Sequence, residues 1–143
     1  MNNKMTLTFL SISENEAFAR NVIASFMLPL NPTLTEISDV KTAVSEAVTN
    51  AIVHGYPDTL GEVELQAEIE DNSIHIIISD SGVGIENVSL ALEPFYSTKT
   101  ESERSGMGFT IMQSFMDKVD VKSAQNVGTT IKMSKIINSK IAE

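Results

Sequence analysis

Glu46, Asn50 and His54 stand four residues apart, so on a helix turning roughly 100° per residue each lies only about 40° round from the one before. A carboxylate, an amide oxygen and an imidazole in such a row can address one shared ligand by metal coordination and proton transfer. A solvated polar edge has the same spacing, so the row gains meaning only from what stands elsewhere. A second stretch, Asp80-Ser81-Gly82-Val83-Gly84, places glycines one residue apart. They let the backbone turn tightly and approach a flat ligand, while a carboxylate at a strand end accepts a hydrogen bond from an exocyclic amine. Adenine suits both features, although surface turns draw on the same residue types. The third stretch is Arg104-Ser105-Gly106-Met107-Gly108. Glycines opening a helix leave backbone N–H groups and a positive dipole end that seat phosphate oxygens, and Arg104 and Lys99 add positive charge beside them. Finally, Gly128-Thr129-Thr130 brings hydroxyls to a strand start, where they either bond a buried ligand edge or favour the strand by β-branching. Neither a dinucleotide fingerprint nor the G-K-[ST] of a P-loop occurs.

The elements that must hold these groups are legible from periodicity. Thr33 with Glu36 forms a capping box after Pro32, and Ile37, Val40, Val44, Ala47, Val48, Ala51 and Ile52 make an apolar stripe beside the Glu46 row. Upstream, Met5, Leu7 and Phe9 alternate as a strand that leads through a second expected capping box, Ser13 with Glu16, into a helix over about Glu14 to Leu28. Its inward residues are expected to be Phe18, Val22, Ile23 and Phe26, with Arg20 facing outward and Pro29 and Pro32 closing it. Val63 to Ile69 and Ile74 to Ile78 alternate around Asp71-Asn72-Ser73, a hairpin with His75 on its polar face. From Asn87 to Ser105 the chain turns polar and reads as a long loop, with a lid over 93–106. Ile111, Met112, Phe115 and Met116 then mark a helix, and Val119, Val121, Ile131 and Met133 a last hairpin around Gln125 to Gly128. Residues 138–143 read as a frayed tail.

With 143 residues and 42% hydrophobic content the chain suits one domain with a sizeable core. A net charge of -9 argues against a direct nucleic-acid surface. The absence of cysteine rules out disulfides and thiolate chemistry and fits a reducing cytoplasm. No run of eighteen apolar residues occurs, so no membrane association is expected.

The conjunction of E-x-x-x-N-x-x-x-H, D-x-G-x-G, R-x-G-x-G and G-T-T in this order resembles the GHKL ATP-binding superfamily of gyrase, bacterial histidine kinases and MutL. That resemblance implies an α+β fold, a two-layer α/β sandwich whose mixed, mostly antiparallel sheet packs on helices. It also implies ATP with Mg²⁺: Asn50 as metal ligand, Glu46 as general base, and Asp80 on the adenine amine with Gly82 and Gly84 shaping its pocket. The phosphates would fall to Gly106, Met107 and Gly108 with Thr98 and Lys99 of the lid, and Thr129 or Thr130 would help fix the base. Asn15-Glu16-x-Phe18-Ala19-Arg20, Val44-Ser45-Glu46-Ala47-Val48-Thr49-Asn50-Ala51 with His54-Gly55-Tyr56, and Arg104-Ser105-Gly106-Met107-Gly108-Phe109-Thr110-Ile111-Met112 are similar to the anti-sigma F family of spore-forming bacteria. Membership would imply a homodimeric, cytoplasmic serine protein kinase that sequesters sigma factor F and phosphorylates an anti-anti-sigma factor. Arg20 would then meet both partners and Arg104 lie by the terminal phosphate. Kinases of the general-stress sigma pathway and a non-catalytic nucleotide-gated binding module share these motifs.

Overall fold

Strict alternation in the sequence becomes a sheet with one apolar face. In the computed structural model, which describes residues 2–92 and 108–137, β2 (Glu62–Glu70) buries Val63, Leu65, Ala67 and Ile69 and exposes the glutamates between them. β3 (Ser73–Asp80) answers with Ile74, Ile76 and Ile78, paired so that Leu65 lies opposite Ile78 and Ala67 opposite Ile76. The hairpin between them turns at Asp71, whose φ of 57° is one that Asp tolerates better than most residues. β1 (Asn3–Leu10) lies outside β2, β5 (Gly128–Ile136) pairs with β3, and β4 (Lys118–Ala124) closes the order β1-β2-β3-β5-β4. Every one of these pairings is antiparallel, so no mixed pairing occurs among the described residues.

Among the described residues four helices cover one face only: α1 (Glu14–Phe26), α2 (Leu34–Thr49), α3 (Val88–Ala91) and α4 (Gly108–Phe115). The central one is α2, packed between α1 and α4. Its capping box forms as expected, with Glu36 N–H donating to Thr33 Oγ1 at 3.0 Å and Thr33 N–H to Glu36 Oε1 at 2.9 Å. Val40, Ala43, Val44, Ala47 and Val48 are fully buried against the sheet, each of the larger ones contributing on the order of 1.5–3 kcal/mol by leaving water. The two-layer sandwich of the expected class results.

Four local expectations do not hold. The first helix stops at Phe26, and Leu28–Leu30 forms a 3₁₀ turn instead. Pro29 has no N–H to give and its ring would strike the carbonyl four residues back, so it is accepted only in the first turn of a new, tighter element. Phe18 is 49% exposed, because the buried seam of α1 runs through Ala19 and Ile23 and on to Met27, with small Ala19 at the close approach to α2. Ser13 makes no side-chain cap; it is already helical (φ -61°, ψ -31°), and Glu16 turns instead to Arg20 and to the Ser45 hydroxyl of α2. Within the expected long loop, Asn87 caps α3 by accepting the Leu90 N–H at 3.0 Å. The lid over 93–106 and the tail over 138–143 lie outside the described residues.

Candidate functional site

The α-helical ladder holds from Glu46 to Asn50, whose N–H still reaches the Glu46 carbonyl. Glu46 and Asn50 are therefore one turn apart, as their spacing predicts. Beyond this the helix widens: Asn50–Gly55 is a π turn, closed by the Tyr56 N–H donating to the Ala51 carbonyl five residues back at 3.1 Å. His54 consequently leaves the row that α-helical arithmetic gives it. Asn50 is buried, 4% exposed, a location a carboxamide takes at a cost unless its polar atoms are used.

The π turn packs against β3 and β5, and there it meets the end of β3. Asp80 shares the parity of Ile74, Ile76 and Ile78, so its carboxyl points to the helix side of the sheet. Gly55, last residue of the π turn, lies against it: a Cβ there would stand 2.9 Å from Asp80 Oδ1. Burial pushes the Asp80 carboxyl above the ordinary carboxylate value, and backbone N–H bonds from Gly82 and Thr129 oppose the shift in part. The Gly82 bond is 2.9 Å long. A carboxylate has about four acceptor positions, so the side chain keeps capacity for an exocyclic amine.

Gly82 and Gly84 have a reason in this structure that the sequence does not reveal. A Cβ on Gly82 would run into the Gly55 carbonyl oxygen, and the Val83 N–H donates to that same oxygen at 2.8 Å. Gly84 has φ 78° and passes against the Ala124 carbonyl of β4. The loop is thus pinned by backbone on both sides, to the π turn and to the last hairpin, where Asn126 N–H donates to Val83 O at 2.7 Å.

Thr129 lies opposite Asp80 in the β3–β5 register and is 3% exposed, with its hydroxyl 2.9 Å from that of Ser123. Thr130 does not join it. Side chains alternate along a strand, so Thr130 points to the opposite face, 3.5 Å from the Ser79 hydroxyl, away from Asp80. Gly108, the first residue of α4, is buried, and α4 packs along α2. Thr98, Lys99, Arg104, Gly106 and Met107 lie outside the described residues. Arg20 is on α1, some distance along the chain from all of this, bound to Glu16 at 2.5 Å. His75 lies on the polar face of the sheet, 3.8 Å from Glu70, and no trio of His, Asp or Glu among the described residues is arranged to hold a metal ion.

Residues 13–135 match the model of the histidine kinase-like ATPase domain, which gives the class of the fold and site. Among curated relatives, anti-sigma F factor of Clostridium acetobutylicum is 56% identical over 94% of both chains. That of Clostridium perfringens is 53% identical over 97% of this chain and all of its own. The chain belongs to the anti-sigma F factor family. Solved structures agree on the fold: the RsbU and RsbW domains of a Mycobacterium tuberculosis protein superpose with TM-score 0.67 at 15% identity, covering 94% of this chain and 32% of that one. The catalytic domain of the histidine kinase ThkA gives TM-score 0.59 at 15% identity, over 93% and 96% of the two chains.

Proposed function

We propose that this chain binds Mg-ATP at the junction of the π turn with β3, holds sigma factor F inactive, and phosphorylates an anti-anti-sigma protein on serine. The observation that carries it is the contact of Gly55 with Asp80, which joins the turn that begins at buried Asn50 to the carboxylate suited to adenine. The names of the relatives supply the sigma partner. In this reading Asp80 accepts the adenine amine, Thr129 braces the same edge, and Asn50 presents its amide oxygen to Mg²⁺. The N-terminal end of α4 at Gly108, with Gly106, Met107, Thr98 and Lys99, receives phosphate oxygens. Glu46, one turn before Asn50, accepts the proton of the serine hydroxyl as it attacks, and Arg104 steadies the transferring group. Bound Mg²⁺ would neutralise phosphate charge during transfer. Arg20 engages the protein partners, and the working unit is a homodimer in the cytoplasm.

The test is incubation with radiolabelled Mg-ATP, sigma factor F and the antagonist. Nucleotide-dependent capture of sigma and acid-stable phosphoserine on the antagonist are expected. Capture without phosphate transfer would reduce the chain to a nucleotide-gated binding module, and neither would end the proposal.

A further inference from the structure

The Tyr56 hydroxyl sits between two segments that the site needs in fixed relation. It donates to the Glu62 carbonyl, at the start of β2, at 2.7 Å, and accepts the Ser81 N–H at 2.7 Å. Ser81 lies between Asp80, whose carboxyl faces the π turn, and Gly82, whose N–H bonds that carboxyl. We propose that Tyr56 is a positioning residue for adenine recognition: through Ser81 it fixes where the Asp80 carboxylate and the Gly82 amide stand. The inference rests on the nucleotide reading above and extends it to a residue of the His54-Gly55-Tyr56 stretch for which the sequence suggested no role.

The geometry favours this role over simple packing. A phenol has one proton, and here Glu62 takes it, which leaves the oxygen lone pairs turned to Ser81. Phenylalanine keeps the ring and loses both bonds, leaving a backbone N–H and a carbonyl without their partner. The ring itself is seated by Gly61, where any Cβ would run into it. Gly61 in turn is held by Ser11, its N–H donating to Ser11 Oγ and its carbonyl accepting from Ser11 N–H, each at 2.9 Å. On the far side of Gly82 the Val83 N–H donates to the Gly55 carbonyl at 2.8 Å, so the Tyr56 bond to Ser81 ties the near side of the same loop to the residue that follows the π turn.

The experiment is calorimetric titration of the full chain and of Tyr56→Phe with Mg-ATP and Mg-GTP, alongside serine phosphorylation at saturating ATP. Tyr56→Phe is expected to weaken Mg-ATP about five- to tenfold, the scale of the lost hydrogen bonds. It should narrow the preference for ATP over GTP and leave the saturated rate within about twofold, a split between KM and kcat that a purely structural residue would not give. Gly61→Ala, which displaces the ring while keeping the hydroxyl, should give the same pattern. The inference falls if both variants bind Mg-ATP as the parent does, even with a lowered melting temperature. If the parent itself fails to bind Mg-ATP, the nucleotide reading falls first and this inference with it.

Discussion

The end of β3 and the outer face of α1 and α2 are built on different principles. At the glycines after Asp80 the fit is backbone on backbone: the loop at Gly82 and Val83 lies against the Gly55 carbonyl and Gly84 against Ala124. Around Arg20 the fit is side chain on side chain. Its guanidinium, 37% exposed, bonds Glu16, which also takes the Ser45 hydroxyl at 2.6 Å. Beside it a groove of about 410 Å³ is lined by Leu34, Ile37, Lys41 and Ser45, and Leu34 is 85% exposed. Backbone contacts cannot yield by changing rotamer, whereas side chains can. Substitutions that add atoms at the first region's glycines should therefore act in an all-or-none manner on nucleotide chemistry, and side-chain changes at the second in a graded manner on protein partners.

The largest effect is expected from Gly82→Ala. Its new methyl meets a carbonyl oxygen, so thermal unfolding should show a loss of about 3 kcal/mol or more and Mg-ATP titration no heat. A variant that binds normally would show that the loop can move away from the Gly55 carbonyl without loss of the site. Next comes Glu46→Gln, for which phosphate transfer should fall by about 10²–10⁴ while Mg-ATP binding persists, measured by single-turnover kinetics. Transfer at the parental rate would remove Glu46 from proton transfer.

Asp80→Asn separates binding from stability. Losing a charge-assisted bond to the adenine amine should weaken Mg-ATP by about 10–100-fold, whereas the ligand-free protein should melt no lower and gain with rising pH. The sign follows from linkage. Burial raises the folded-state pKa of Asp80, so the folded form holds its proton more tightly than the unfolded one. The stability this gives is present below the ordinary value of about 3.9 and is lost as pH rises through the higher folded value. The variant has no such loss, so its melting temperature relative to the parent should climb from about pH 4 upward. An unchanging difference would mean that the carboxyl is well hydrated.

The smallest effect on nucleotide is expected from Arg20→Glu. It replaces a partly exposed ion pair of modest worth to stability with like charges beside Glu16. Capture of sigma factor F and of the antagonist should weaken about tenfold or more, with Mg-ATP affinity unchanged. If ATP affinity moved instead, the two regions would not be separable in the way their construction implies.

The sheet and α2 were open to reading because their information is local. Alternation in Val63 to Ile78 and the Thr33–Glu36 box depend on neighbours within a few residues, and both stand in the structure. Phe18 misled because periodicity identifies an apolar arc but not which part of it faces a neighbouring helix, and the close approach of α2 selected Ala19. Ser13 and Glu16 had the spacing of a box, yet Glu16 found better partners across the helix pair.

The order of motifs along the chain determined by itself that a carboxylate, a carboxamide and glycines were available, and in which elements. Tertiary structure alone decided that the helix would open into a π turn at Asn50, that Gly55 would touch Asp80, and that Thr129 rather than Thr130 would share its face. It also decided that Tyr56 would hold Ser81. Spacing along one strand or helix is set by bond geometry, which a sequence carries. Contacts between the turn, β3 and β5 are set by how separate elements pack, which no single segment encodes.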